Sequence, residues 1–188
     1  MNNIENQKFE RLQLNDKSIL SGTYENCSFV SCDFSNGNLY DFKFEDCEFH
    51  ECNFSLAHLA GTAFRNVHFK DCKMLGLRFD DCAAFGLAFS FENCTLNHSS
   101  FYKLKVKLTK FQGCSLIAVD FTETDLTQSN FAKSDLKDAV FERSNLEKCD
   151  FRTAFNYAFD PELNRIKKAK FSRDAVVGLL AKYPIEIE

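Results

Sequence analysis

The chain of 188 residues lacks most of the features that would indicate a particular chemistry. It has no tryptophan, four histidines and no glycine-rich loop of the kind that holds a phosphate. Its longest apolar run near the C-terminus, residues 176–181, is far too short to span a bilayer. No basic segment followed by an apolar stretch opens the sequence, as a signal peptide would. With a net charge of only −4, we expect a soluble, cytoplasmic, single-domain protein.

Phenylalanine, in contrast, is abundant, with 22 residues, and it follows a repeat. From Phe121 to Phe151 a large apolar residue recurs every five positions, as Phe121, Leu126, Phe131, Leu136, Phe141, Leu146 and Phe151. A small residue lies two positions before each later one: Thr124, Ser129, Ser134, Ala139, Ser144 and Cys149. This period is neither that of a helix nor that of a plain strand. An internal repeat of this kind decides the fold.

The period of five predicts a coiled chain. In an extended segment, residues two positions apart point the same way, so the large residue and the small one before it both face inward. Because five is odd, a straight strand would turn the next pair outward, and the chain must therefore turn once in every repeat. Such coils stack by parallel backbone pairing into a solenoid. The inward side chains then fill a narrow interior that leaves no room for a ligand.

The repeat extends over most of the chain in two registers. The first runs from Phe9 to Phe79 and the second from Phe91 onward. Two residues are inserted between Ala84 and Phe91, where Phe85 has no inward position. The insertion is interpreted either as a small bulge that bends the solenoid or as a protruding contact point for a partner.

All nine cysteines occupy the small inward position: Cys27, Cys32, Cys47, Cys52, Cys72, Cys82, Cys94, Cys114 and Cys149. A disulfide framework would not follow this register, whereas free cysteine is a small buried apolar residue. The first four form two Cys-x4-Cys pairs twenty residues apart, and a zinc or iron–sulfur site competes with packing there. Other cysteines fill the same position without forming a quartet, so we expect packing, with no metal and no cofactor.

The sequence gives little indication of a catalytic site. The four histidines, His50, His58, His68 and His98, occupy outward positions and have no partner at the spacing of a nucleophile–base pair. The adjacent carboxylates Glu45–Asp46 and Asp80–Asp81 resemble catalytic pairs, but successive residues at a turn of the coil diverge. We therefore expect a protein that is not an enzyme.

These residues resemble the pentapeptide repeat family, whose pattern is small–polar–Leu/Phe–polar–polar. The resemblance covers about residues 7–171 and implies a right-handed, quadrilateral all-β helix with twenty residues per coil. Counting from Phe9 to Phe89 and from Phe91 to Phe171 gives about eight coils, which at roughly 4.8 Å each make a rod about 38 Å tall. We expect residues 1–171 to form this rod, with a register break at 84–90 and a loop at 156–164.

Residues 172–188 are predicted to form a C-terminal cap. Ser172 and Asp174 are typical of the start of an α-helix, Pro184 ends it, and the final IEIE alternates like a short strand. The apolar residues of this segment exceed what one coil end needs: Val176, Val177, Leu179, Leu180, Tyr183, Ile185 and Ile187. We expect the protein to form a homodimer through these residues, as the resemblance also implies.

Within the family, the chain resembles the quinolone-resistance (Qnr-type) members, which have two stacks separated by an insertion and a C-terminal cap. This resemblance implies a rod that mimics DNA, binds DNA gyrase or topoisomerase IV and protects it from quinolones, with no direct binding to nucleic acid. Residues 1–90 contain thirteen acidic and eight basic residues, a net charge of −5. The candidate partner-binding residues are Glu45, Asp46, Glu48, Glu51, Asp71, Asp80, Asp81 and Phe85.

Two alternatives stay open at this point. The chain is either such a topoisomerase-binding protein or a general protein-interaction scaffold with another partner. A basic stretch, Lys103, Lys105, Lys107 and Lys110, is either a solvated face or a contact for an acidic partner.

Overall fold

A computed structural model of the chain describes residues 2–14 and 19–186. These residues form a β-solenoid in which each segment pairs in parallel with the segment about twenty residues further on. The pairing begins at Asn2↔Gly22 and continues to Asp150↔Lys170. Four five-residue repeats therefore make one coil, and residues twenty apart in the sequence lie in adjacent coils.

The strands lie on two walls of the solenoid. The first wall contains β1 (Asn2–Glu5), β3 (Gly22–Glu25), β5 (Lys43–Glu45) and β7 (Ala63–Arg65). The second wall contains β2 (Lys8–Glu10), β4 (Ser28–Val30), β6 (Glu48–His50), β8 (Val67–Lys70), β9 (Phe89–Glu92) and β10 (Phe111–Gln112). The third wall, through Asp33↔Asn53, and the fourth wall, through Asn38↔His58, are made of single parallel bridges.

The first wall continues beyond the strands as single bridges. Its ladder resumes at Lys105↔Asp125 and passes through Asn145 to Arg165. Between β7 and Lys105 the chain makes the bulge of residues 83–88.

The corners of the solenoid have backbone in the left-handed region. The residue two positions after a large inward residue has a positive φ, as in Asn26 (51°), Asp46 (51°) and Lys148 (59°). This region favours glycine and asparagine, yet lysine and glutamate also occupy such corners here. The prediction that the chain turns once in every repeat is confirmed.

The core is a column of stacked aromatic rings behind the second wall. Adjacent rings in the column have centroids between 4.6 and 5.4 Å apart. The column consists of Phe9, Phe29, Phe49, Phe69, Phe91, Phe111, Phe131, Phe151 and Phe171. This distance matches the separation of paired strands, so the backbone ladder and the ring stack reinforce one another.

The small inward residues connect neighbouring coils. Buried hydroxyl groups donate hydrogen bonds to carbonyl oxygens 23 residues earlier, as from Thr124 Oγ1 to Phe101 O (2.8 Å) and from Ser134 Oγ to Phe111 O (2.9 Å). Cys149 Sγ donates in the same way to Leu126 O. All nine cysteines are buried and free, which confirms the inward register. The described residues contain no group of three or more candidate metal ligands.

The insertion is a bulge at the middle of the first wall. Val67 in β8 pairs with Phe89 in β9, a separation of 22 residues instead of twenty. The two extra residues leave Phe85 pointing into solvent, with 84% of its surface exposed.

The predicted C-terminal α-helix is wrong. Within the described residues no α-helix occurs, and Val176–Leu180 form a short 3₁₀ helix. Two β-branched residues and a glycine are poor helix formers. Docking also constrains the segment, because a Cβ on Gly178 would lie 1.9 Å from the Tyr157 carbonyl oxygen.

The short strand predicted at the C-terminus is also not seen. Ile185 and Glu186 have no regular structure, and Ile187 lies outside the described residues.

Within the described ranges, no helix is long and apolar enough to cross a membrane.

Candidate partner-binding surface

Five of the predicted acidic residues line the two edges of the second wall. Glu45 and Asp46 lie where the first wall meets it, Glu48 opens β6, and Glu51 and Asp71 occupy successive corners on the far side. The solenoid therefore brings these five carboxylates onto one side of the rod. We call this group the acidic edge.

Partners within the chain compensate part of the acidic edge. Glu45 forms an ion pair with Arg65, and Glu48 Oε2 lies 3.2 Å from His50 Nε2. Glu51 accepts only a hydrogen bond from Ser31 Oγ (3.1 Å), and Asp46 accepts one from Asn66 Nδ2 (2.5 Å). The exposed carboxylates of the edge without an ion pair in the described structure are therefore Asp46, Glu51 and Asp71.

The remaining predicted acids, Asp80 and Asp81, lie elsewhere. They form a short 3₁₀ turn with Phe79 at the corner between the fourth and first walls. Arg78 pairs with both, at 2.6 Å from Asp80 Oδ2 and 3.3 Å from Asp81 Oδ2. This pair is therefore separate from the acidic edge, and Arg78 compensates one of its two negative charges.

Phe85 projects from the first wall beside Arg65. The guanidinium carbon of Arg65 lies 5.7 Å from the centre of the Phe85 ring, within the range of a cation–π contact. The same guanidinium pairs with Glu45. Sequence reasoning missed Arg65, although its position twenty residues after Glu45 places it directly above that carboxylate.

Most of the basic stretch occupies the first wall on the C-terminal side of the bulge. Lys107 pairs with Asp125 (3.2 Å), and Lys103 lies 3.7 Å from Glu123. Lys105 and Lys110 are exposed and form no ion pair with the described residues. Lys110 lies just before β10 and therefore belongs to the second wall.

The C-terminal segment covers the last coil with one side only. Leu179 is buried, and Tyr157 and Phe159 fill the space beside Phe171. Exposed apolar residues remain: Val176, Val177, Leu180, Tyr183 and Ile185. Lys182 Nζ ties the segment to Asp160 (2.9 Å) and Glu162 (2.7 Å).

Burial dominates the environment of three of the nine thiols. Burial raises the pKa of Cys47, Cys114 and Cys149 to about 12 in each case. At neutral pH such groups are protonated and therefore poor nucleophiles and poor metal ligands.

Two repeat-containing regions of the chain, residues 23–90 and 77–151, match the family model for the pentapeptide repeat region. The chain belongs to the pentapeptide repeat family. Among solved structures, it is similar to two trypsin-treated variants of QnrB1, a plasmid-mediated fluoroquinolone resistance protein. One of these variants aligns over 100% of both chains with a TM-score of 0.65 and 15% identity.

The other variant aligns over 99% of this chain and 98% of that chain, with a TM-score of 0.64 and 15% identity. At this identity the likeness concerns the fold. No curated protein sequence matches the chain.

Proposed function

We propose that this pentapeptide repeat protein is a non-catalytic binding protein that occupies the DNA site of DNA gyrase or topoisomerase IV. In this proposal the rod is right-handed and four-sided with about eight coils, acts in the cytoplasm and protects the topoisomerase from quinolones. The observation that carries the proposal is the acidic edge on a rod that aligns end to end with QnrB1.

The charge of the rod limits how the mimicry works. Duplex DNA presents one negative charge per roughly 1.7 Å, or about 22 over a rod of this height. The net charge of the chain is only −4, and arginine or lysine compensates several of its acids. The proposed contact therefore depends on the three unpaired carboxylates of Asp46, Glu51 and Asp71.

The proposal includes a homodimer formed by the C-terminal segment. Five apolar side chains there remain exposed although the last coil is already covered. A symmetric end-to-end contact would bury them against the same residues of a second copy. Removal of residues 172–188 would then yield a monomer at micromolar concentration.

Supercoiling and drug-stabilised cleavage by purified gyrase, with the protein titrated in, test the function. We expect protection against a quinolone that weakens as salt rises, because exposed charges are screened. The variant Glu51→Lys with Asp71→Lys should lose protection, whereas Lys105→Gln with Lys110→Gln should retain it. If the unchanged protein has no effect at tens of micromolar on gyrase from the same organism, the proposal fails. A general interaction scaffold then becomes the better interpretation.

A further inference from the structure

The first wall is electrically polarised about its bulge. On the N-terminal side, leaving aside the corner residue Asp81, which pairs with Arg78 of the fourth wall, it carries Glu5, Glu25, Asp41, Lys43, Glu45, Asp46 and Arg65. On the C-terminal side it carries Lys103, Lys105, Lys107, Glu123, Asp125, Arg143, Glu147, Lys148, Arg165, Lys167 and Lys168. These lists give five acids and two bases on one side, and eight bases and three acids on the other. The first wall therefore has a net charge of −3 on the N-terminal side of Phe85 and +5 on the C-terminal side.

Several of these charges have no partner within the chain. In the described structure, Glu25, Asp41, Lys105, Lys148 and Lys167 are exposed and form no ion pair. They all project from the same wall, and the stacking of coils fixes their spacing. The wall therefore presents a fixed pattern of unpaired charges of both signs.

We propose that this wall binds the same wall of a second copy of the chain, with the two rods antiparallel. The two-fold axis lies in the contact plane, at right angles to the rods, at the height between Phe85 and Lys105. Each residue column then faces the same column of the partner copy. A layer at a given distance on one side of the axis faces the partner's layer that lies at the same distance on the other side of the axis in its own chain.

This arrangement places several opposite charges together. In the layer nearest the axis Phe85 faces Lys105, a cation–π pair. Two layers further out, Asp46 faces Lys148 at one edge of the wall. Two more opposite-charge pairs follow from the same symmetry, Asp41 with Arg143 and Glu25 with Lys167. The same symmetry sets Glu45 opposite Glu147, but each of these is already paired within its own chain, with Arg65 and Arg165 respectively. Every contact occurs twice.

A parallel arrangement of the same two walls would not match these charges. Its two-fold axis would run along the rods, so each layer would face the same layer of the partner copy with its edges exchanged. Asp46 would then lie against Asp41, and Lys148 against Arg143. Like charges that face one another oppose association, so the charge pattern selects the antiparallel arrangement.

The size of the contact indicates a weak association. A wall about 38 Å tall, at roughly 4.8 Å per layer, and about 14 Å wide would bury about 1,000 Å² in total. Interfaces of this size are transient, and this one depends on exposed charges that salt screens. It covers Asp46 and Phe85, so this self-association and partner binding through those residues exclude one another. It is separate from the C-terminal contact.

The experiment exchanges the charges of one pair. Asp46 and Lys148 occupy equivalent corners of the same column, and both have a positive φ (51° and 59°), so each position tolerates the other residue. Asp46→Lys and Lys148→Asp, made separately, should each weaken self-association at about 50 mM salt by about tenfold or more. Asp138→Lys is the matched control, because Asp138 is a corner with φ 58° outside the first wall.

The decisive measurement is a mixture of the two variants. When Asp46→Lys meets Lys148→Asp, both contacts of the pair become lysine–aspartate, so sedimentation of the mixture should show the salt-sensitive association, beyond any C-terminal dimer, at nearly the affinity of the unchanged protein. Circular dichroism establishes that each variant is folded. The double variant should also self-associate. Failure of the mixture and the double variant to associate, or no loss from either single variant, overturns the proposal. A C-terminal dimer alone would give the latter result, and this outcome is independent of any effect on gyrase.

Discussion

The two halves of the solenoid share one core but differ in their walls. Strands β1 to β9 all lie before residue 93, and beyond them the β-structure of the described chain consists only of β10 and single bridges. The ring column nevertheless continues without change from Phe9 to Phe171. Inward residues therefore determine that the chain forms a solenoid. Residues outside the core determine whether a wall consists of strands or of single bridges.

The outward residue just before the large inward one accounts for much of this difference. In the second half it is often aspartate or asparagine, whose side-chain oxygen accepts a hydrogen bond from the backbone nitrogen two residues later. Asp120 Oδ1 accepts from Thr122 N (2.8 Å), and Asn130 Oδ1 accepts from Ala132 N (2.7 Å). This local bond bends the backbone and competes with an extended strand. In β3 and β5 the same position is Thr23 and Lys43, which favour or tolerate extension.

The largest expected effect tests whether the two halves share one core. Phe49 and Phe131 are both fully buried and stacked between two rings. Phe49→Ala and Phe131→Ala should each lower the free energy of unfolding by about 3–5 kcal/mol, because each leaves a cavity in the column. Chemical denaturation followed by circular dichroism measures both.

Phe85→Ala is the control for this pair, since its ring is exposed and its loss should cost less than about 0.5 kcal/mol. A loss below about 1 kcal/mol for one core variant would mean that the halves are not equivalent.

The sequence predicted the core well because the core depends on a repeated local rule. The inward register of the phenylalanines and of the cysteines and the exposure of Phe85 follow from the period and its interruption. Strand or bridge was harder to predict, because it depends on side-chain hydrogen bonds such as that of Asp120.

The C-terminal helix was wrong because a tertiary contact decides it. The close approach of Gly178 to the Tyr157 carbonyl could not be deduced from helix signals at Ser172 and Pro184. Likewise, the predicted acidic residues other than Asp80, whose carboxylate is largely buried, face outward as the register indicates. Their pairing with arginines, however, depends on which coils become neighbours.

A smaller effect tests the explanation for the walls. Asp120→Ala removes the hydrogen bond to the Thr122 nitrogen and should cost about 1 kcal/mol of unfolding free energy. Asp120→Asn keeps an oxygen acceptor and should be close to neutral. Ser28→Ala, in β4 of the first half, should also stay within about 0.5 kcal/mol. Equal losses for Asp120→Ala and Asp120→Asn would show that charge, and not the turn bond, is responsible.

The thiols offer a comparison in which the two halves should not differ. Burial raises the pKa of Cys47 in the first half and of Cys149 in the second to about 12. A thiol reagent at neutral pH should therefore label neither residue in the folded protein and all nine cysteines in denaturant. Mass spectrometry of the labelled protein locates the sites. Labelling of most cysteines without denaturant would contradict the inward register.

The smallest expected effect concerns the end of the second half, where Lys182 ties the C-terminal segment to the loop that contains Asp160. The Lys182 ammonium group, through its hydrogen bonds, holds the pKa of Asp160 below its ordinary value of 3.8. A carboxylate with a lowered pKa contributes stability that is present above its unfolded pKa and is lost as the pH falls through its folded pKa. The tie should therefore hold at neutral pH and weaken in acid below about pH 4.

Carbon NMR of the Asp160 carboxyl group between about pH 2 and pH 7 measures this directly. In Lys182→Met the titration midpoint of Asp160 should rise towards 3.8. The midpoint of Asp150, whose pKa is lowered by its hydrogen bond with Arg152, should stay unchanged in the same spectra. Because Asp160 is a partly exposed surface residue, the change in global stability should be slight, and the main effect should be on the position of the C-terminal segment. An unchanged Asp160 midpoint would mean that Lys182 does not lie on this carboxylate in solution, and the apolar side chains of the segment alone would then hold it on the last coil.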